Sequence, residues 1–190
     1  LLKETNAQIT LYLRNSARIN DLNERRETII EGDVNDYQRL KNAILGQDIV
    51  YDNLGGEFEP MIKNVVQAMD EDNVNRLIHV TGLGLYHEVP GEFGDWVEET
   101  IGSDIMDDTR RAAKIIEDSD INYTIIRAAY MNNDDEIDYE ITQKGEPFKG
   151  TIISRKSITD YIMRLFNDSN LDNYASVGID KPGTDANRPY

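Results

Sequence analysis

The sequence predicts an α/β fold, a doubly wound parallel sheet in a three-layer α/β/α arrangement, and three observations lead there. Apolar, β-branched runs alternate with amphipathic stretches of helical period along the chain. Loop signals rich in glycine and asparagine close the apolar runs, as in Asn53-Leu54-Gly55-Gly56 and Thr81-Gly82-Leu83-Gly84. No internal repeat or low-complexity linker divides the 190 residues, which suit one domain. Strands alternating with helices call for a parallel sheet covered on both faces and joined by right-handed crossovers.

The elements follow in order. Gln8 to Leu13 reads as a strand, and so does Thr28 to Glu31. Helical spacing then runs from Asp36 to Leu45, with Gly46 as a C-terminal stop. Asp48 to Tyr51 is a third strand, and Phe58 to Asp70 a helix with Met61, Val65, Val66 and Met69 on one face. Arg76 to Val80 is the fourth strand. Glu88 to Asp107, rich in glycine, proline and acid, reads as an excursion over the strand ends. Asp108 to Asp118 is helical, with Ala112, Ile115 and Ile116 apolar; Tyr123 to Arg127 is a strand, Ser157 to Asn167 a helix, and Ala175 to Ile179 a last strand.

Composition narrows the function. The net charge of −16 argues against sequence-independent binding to nucleic acid or to an anionic membrane. No run approaches the ~18 apolar residues of a membrane span. The absence of cysteine excludes disulfides, thiolate catalysis and Cys-based zinc sites. Leu1 to Asn6 turn polar at once, unlike a secretory signal, and a cytoplasmic protein is the expectation. Those residues also read as the tail of a helix. The opening strand and glycine-rich turn of a dinucleotide fold, about twenty residues, are therefore expected outside the 190-residue chain.

In such folds ligands sit at the carboxyl ends of the strands, so the residues just past each strand matter most. Arg14-Asn15-Ser16 follows the first strand. NAD-preferring domains place an acid there, whereas an arginine accommodates a 2′-phosphate; Arg14 supplies the planar fork, and Asn15 and Ser16 add donors. NADP is therefore favoured, with NAD open, against the alternative of a solvated loop arginine. Asp33 and Val34 follow the second strand, where a carboxylate meets the adenine amino group and the next amide meets the ring; Asp33 and Asp36 serve equally as helix N-caps. Asn53, Leu54 and Gly55 follow the third, where glycine permits close backbone approach, or simply a tight turn. Thr81, Gly82 and Leu83 follow the fourth and form the expected wall of a nicotinamide pocket. Thr81 and Tyr86 are the candidate proton donors, packing being the competing role of Tyr86. Arg127 and Ala128 follow the fifth; they line the same mouth, or Arg127 is buried against an acid.

Other patterns carry no site. Tyr37 and Lys41 have the Y-x-x-x-K spacing of a short-chain dehydrogenase but lie on the wrong helix. His79 sits inside a strand, where a satisfied core imidazole is expected, and with His87 it is too isolated for a metal site. Asn132 to Glu136 lacks the spacing of a calcium loop and reads as a solvated turn.

The series Leu11-Tyr12-Leu13-Arg14-Asn15, Glu31-Gly32-Asp33-Val34, Thr81-Gly82-Leu83-Gly84 and Ile121 to Arg127 resembles the atypical short-chain dehydrogenase/reductase superfamily. The nearest branch is the NmrA-like, NAD(P)-binding group of small bacterial proteins, which Lys144 to Phe148 and Ile153 to Ile158 also resemble. The resemblance spans the chain and implies a Rossmann fold binding NADP. It puts Arg14 to Ser16 near the 2′-phosphate, Asp33-Val34 near adenine, and Asn53 to Gly55 and Thr81 to Leu83 beside ribose and nicotinamide. The superfamily's Tyr/Lys pair is missing around Met106 to Arg111, where Asp107, Asp108 and Thr109 stand instead. The expectation is a reductase passing hydride to a small carbonyl, quinone or flavin-like acceptor. A non-catalytic NAD(P) sensor is the rival reading and a scaffold with a vestigial site the third; substrate and oligomeric state stay open.

Overall fold

The computed structural model describes residues 1–190. Its strands are β1 (Ile9–Leu13), β2 (Glu27–Glu31), β3 (Val50–Asp52), β4 (Arg76–Gly82), β5 (Asn122–Ala128), β6 (Tyr130–Asn132), β7 (Glu140–Gln143), β8 (Ile152–Ser154) and β9 (Ala175–Asp180). The helices are α1 (Tyr37–Ile44), α2 (Phe58–Glu71), α3 (Gly91–Ile101), α4 (Ser103–Glu117) and α5 (Arg155–Asn167), and a short 3-10 turn spans Ser16–Arg18.

The main sheet runs β3-β4-β5-β9-β7. Its first four strands are parallel, and β7 joins the edge antiparallel to β9. β1 and β2 form a separate parallel pair, and β6 pairs with β8. β1 and β3 share no ladder, so each keeps one edge unpaired.

Side-chain alternation explains the layering, because successive residues of a strand face opposite sides. Ile78 and Val80 of β4 and Ile126 of β5 pack in one core with Phe93 and Val97 of α3 and Tyr161 and Leu165 of α5. Leu77 and Ile125 face the other core, with Ile44 of α1, Ile62 and Val65 of α2, and Ala112 and Ile116 of α4. Two apolar layers thus sandwich one sheet, as the alternation predicts.

Three readings need correcting. Glu88 to Asp107 is largely helical, holding α3 and the start of α4 with only Gly102 between them. That residue stands at φ +88°, a left-handed turn glycine adopts without strain. The sheet also gains an antiparallel edge strand that the sequence did not announce. The last helix begins at Arg155 because Ser154 caps it, its Oγ accepting from the Ser157 amide at 2.9 Å. The Asp36 cap is present, accepting from the Arg39 amide at 3.3 Å.

Asp180 ends β9 fully buried, and neither carboxylate oxygen has a hydrogen-bond partner. Burial pushes its carboxyl up to about 6 despite the pull of the nearby Gly150 amide. The folded value lies above the unfolded one, ~3.9. The penalty is therefore absent below about pH 4 and grows as pH rises towards 6. Asp180→Asn should stabilise the protein at pH 8 by on the order of 2 kcal/mol, and by little near pH 4. Urea unfolding at both pH values checks this; an equal gain at both would refute it.

Candidate functional site

Two cavities open at the carboxyl ends of the strands. One of about 280 Å³ is lined by Leu13, Arg14, Gly32 to Asn35 and Asn53 to Glu57. The other, about 260 Å³, is lined by Val80 to Leu83, Phe58, Ile101, Ile105, Met106, Thr109 and Met131, again with Asn53 and Leu54. Each alone falls just short of the ~300 Å³ at which ligand sites begin. They meet at the loop after β3, which lines both.

The first cavity is mixed in character, with Arg14, Asp33 and Glu57 as its charged residues. Arg14 is exposed there, and every ion pair of the chain uses some other cation. Arg14 is thus a cation with no acidic partner on the wall of this cavity, on a chain of charge −16. Asn15 spends its Oδ1 on the Ala17 amide, at 2.9 Å, which caps the 3-10 turn. Ser16 gives both its amide and its hydroxyl to Glu31 Oε1, at 2.8 and 2.5 Å. Asp33 Oδ1 accepts from the Asn35 amide at 2.9 Å, while its carbonyl accepts from the Tyr12 hydroxyl at 2.8 Å. A Cβ on Gly32 would meet that hydroxyl oxygen at 2.3 Å, so only glycine lets Tyr12 lie across the end of β2.

The second cavity is apolar and holds no acid, base or tyrosine. Its polar groups are few. Thr109 donates to the Ile105 and Met106 carbonyls at 3.0 and 2.8 Å, so its hydroxyl is spent on its own helix. Thr81 makes no side-chain hydrogen bond within the chain. A Cβ on Gly55 or Gly82 would meet nothing within 4 Å, so the loops bearing them border open cleft.

Asp107 and Asp108, at the place of the missing Tyr/Lys pair, do other work. Asp108 accepts from the Phe58 and Glu59 amides, at 2.6 and 3.1 Å, and so caps α2 from another helix. Asp107 pairs with Arg110 on the surface.

The structure brings Arg14, Asp33, Val34, Asn53, Leu54, Gly55, Thr81, Gly82 and Leu83 to the cleft, and leaves Asn15 and Ser16 beside it. It does not bring Tyr86, Arg127 or Ala128. The Tyr86 hydroxyl donates to Glu117 at 2.6 Å, with Lys144 over its ring, and burial together with that carboxylate pushes its pKa well up. Its hydroxyl is committed to that carboxylate, and it lines neither cavity. Arg127 is fully buried and donates to Glu88 at 2.7 Å, the duller of its two readings. Ala128 is buried, and its carbonyl accepts from the Leu83 amide.

The other patterns fall where the sequence puts them. His79 Nδ1 lies 2.7 Å from Asp52 Oδ1, both nearly solvent-free, and the carboxylate makes Nδ1 the donor. Lys41 pairs with Glu71 and Asp72 and lines neither cavity. No three His, Asp or Glu residues are arranged to hold a metal ion, and no helix is long and apolar enough to cross a membrane.

The residues missed in the sequence are the apolar wall: Phe58, Ile101, Ile105, Met106 and Met131. Ile101 and Ile105 lie on either side of the Gly102 break, so no single helical period marks them in the sequence.

Comparison with known proteins agrees with this geometry. A family model described as NAD(P)H-binding matches residues 1–169. Proteins of curated function give no match. Among solved structures, a short-chain dehydrogenase/reductase from Veillonella parvula, crystallised in complex with NADP, is 29% identical. It superposes with a TM-score of 0.93 over 99% of this chain and 89% of that one. An ethylated form of a short-chain dehydrogenase/reductase from V. parvula gives 28% identity and 0.93 over 100% and 89%. A Rossmann-fold NAD(P)-binding family protein from Shigella flexneri is 39% identical, with a TM-score of 0.81 over 95% and 84%. A parallel sheet with its cleft at the strand ends and a family match over most of its length make this chain a member of the NAD(P)H-binding family, a Rossmann-fold protein of the atypical short-chain dehydrogenase/reductase type.

Proposed function

We propose that the chain is an NADP-preferring reductase that passes hydride to a small carbonyl, quinone or flavin-like acceptor. The observation that carries this reading is the pairing of two cavities at the loop after β3: one with an unpaired guanidinium, the other apolar and uncharged. Arg14 would hold the 2′-phosphate, with Asp33 and Val34 beside adenine and Asn53 to Gly55 along the ribose. The dihydronicotinamide, when bound, supplies two electrons and a proton as hydride. Leu83, Ile105 and Met106 would exclude water around the acceptor, and an uncharged wall suits a neutral, planar one. Thr81 would give its hydroxyl proton to the reduced oxygen or nitrogen and recover one from solvent.

One observation favours the sensor reading instead: the apolar cavity contains no titratable group. Turnover decides between them. NADPH consumption followed across a panel of quinones and aldehydes should show steady turnover. Thr81→Val should lower it about tenfold or more with NADPH affinity changed less than about threefold. Tight NADPH binding without turnover of any acceptor would replace the reductase by the sensor.

A further inference from the structure

The turn after β1 is closed by an anion that belongs to the chain itself. The Ser16 amide and hydroxyl converge on one carboxylate oxygen of Glu31, at 2.8 and 2.5 Å. They stand two residues beyond Arg14, and the Asn15 cap fixes the turn between them. A backbone N–H and a serine hydroxyl, two residues along the turn from an exposed guanidinium with no ion-pair partner, form a donor set suited to a phosphate ester. Glu31 reaches this set from the neighbouring strand β2, where it lies opposite Leu13. Its side chain is exposed, so it can swing into solvent without unpacking the core. The Ser16 hydrogen bonds hold its carboxyl below the usual range, so it is ionised at neutral pH.

We propose that Glu31 is a specificity-determining residue: its carboxylate competes with the 2′-phosphate for the two Ser16 donors and so limits the preference for NADP over NAD. This rests on the dinucleotide reading above. A ligand with a free 2′-hydroxyl leaves the Ser16–Glu31 contact intact. A 2′-phosphorylated ligand that takes these donors must break it and lie near the displaced carboxylate, and juxtaposed like charges are unfavourable. Removing the carboxylate therefore favours the phosphorylated ligand alone.

The test is calorimetric titration of the full chain, as wild type, Glu31→Ala and Glu31→Gln, with NADPH and with NADH. Glu31→Ala should bind NADPH about tenfold tighter, with NADH changed less than about threefold. Glu31→Gln keeps an acceptor for Ser16 but loses the charge, and should fall between. If Glu31→Ala weakens both ligands, or leaves their ratio unchanged, Glu31 only shapes the turn; the proposal is then wrong while the dinucleotide reading stands. If neither dinucleotide binds wild type or variant, both fall.

Discussion

Replacing Glu88 by alanine should lower the unfolding free energy by about 3–5 kcal/mol. Glu88 lies on the loop after β4, and its side chain and that of Arg127 are 4% and 0% exposed. Besides the ion pair, its Oε1 accepts from the Gly84 amide at 3.0 Å and its Oε2 from the Tyr86 amide at 2.8 Å. The variant would strand a guanidinium between β4 and β9 with one remaining bond, to the Ser176 carbonyl at 3.2 Å, and would leave two amides without acceptors. An uncompensated buried charge is among the costliest defects a core can carry. Burial alone would raise the Glu88 carboxyl, but the Arg127 charge and hydrogen bond outweigh it and hold the group below its usual value. The pair therefore contributes at neutral pH, and its contribution fades as pH falls through the depressed folded value. Removing both partners, as Glu88→Ala with Arg127→Met, should recover the part of the loss due to the stranded charge and leave the part due to the two unpaired amides. Urea unfolding of the two variants measures it; a loss below about 1 kcal/mol for Glu88→Ala would place the pair among inconsequential surface contacts.

Arg14→Ala should weaken NADPH binding by about 10- to 100-fold while changing NADH by less than about threefold. A charge-assisted bond to phosphate contributes about 1.5–3 kcal/mol, and Arg14 has no acid to release before making it. The overall field of a chain at −16 opposes an anionic ligand, so a local cation at the docking point decides more here than on a neutral protein. Lysine at this position keeps the charge but loses the planar fork, and should restore only part of the affinity. The selectivity should also shrink as salt rises, since the guanidinium is exposed. Equal losses for NADPH and NADH would assign Arg14 a role in shaping the loop.

Much of the fold could be read from local patterns, because a strand covered on both faces and a helix covered on one leave distinct apolar periods. Ile78 and Val80 facing one layer and Leu77 the other follow directly from that period. The Asp36 cap and the buried His79 were legible for the same reason: each depends on a few neighbours in sequence or on its place in a strand. Helix α3 was hidden by Pro90, Gly91, Gly94 and Gly102, which read as loop. Tertiary contact explains one of them, since a Cβ at Gly94 would meet the Val89 carbonyl oxygen at 2.1 Å. That Arg127 is buried against an acid and Tyr86 packed was among the readings of the sequence, but which acids they meet could not be read. Their partners, Glu117 and Glu88, lie 31 and 39 residues away in the chain, and only the fold brings them together. Glu31 escaped notice for the same reason, being 15 residues from Ser16.

The most direct test is a crystal structure of the full chain soaked with NADP. The account predicts the 2′-phosphate within hydrogen-bond distance of the Arg14 guanidinium and the nicotinamide ring in the apolar cavity beside Thr81. A ring seated outside that cavity, or a phosphate with Arg14 turned from it, would contradict the account.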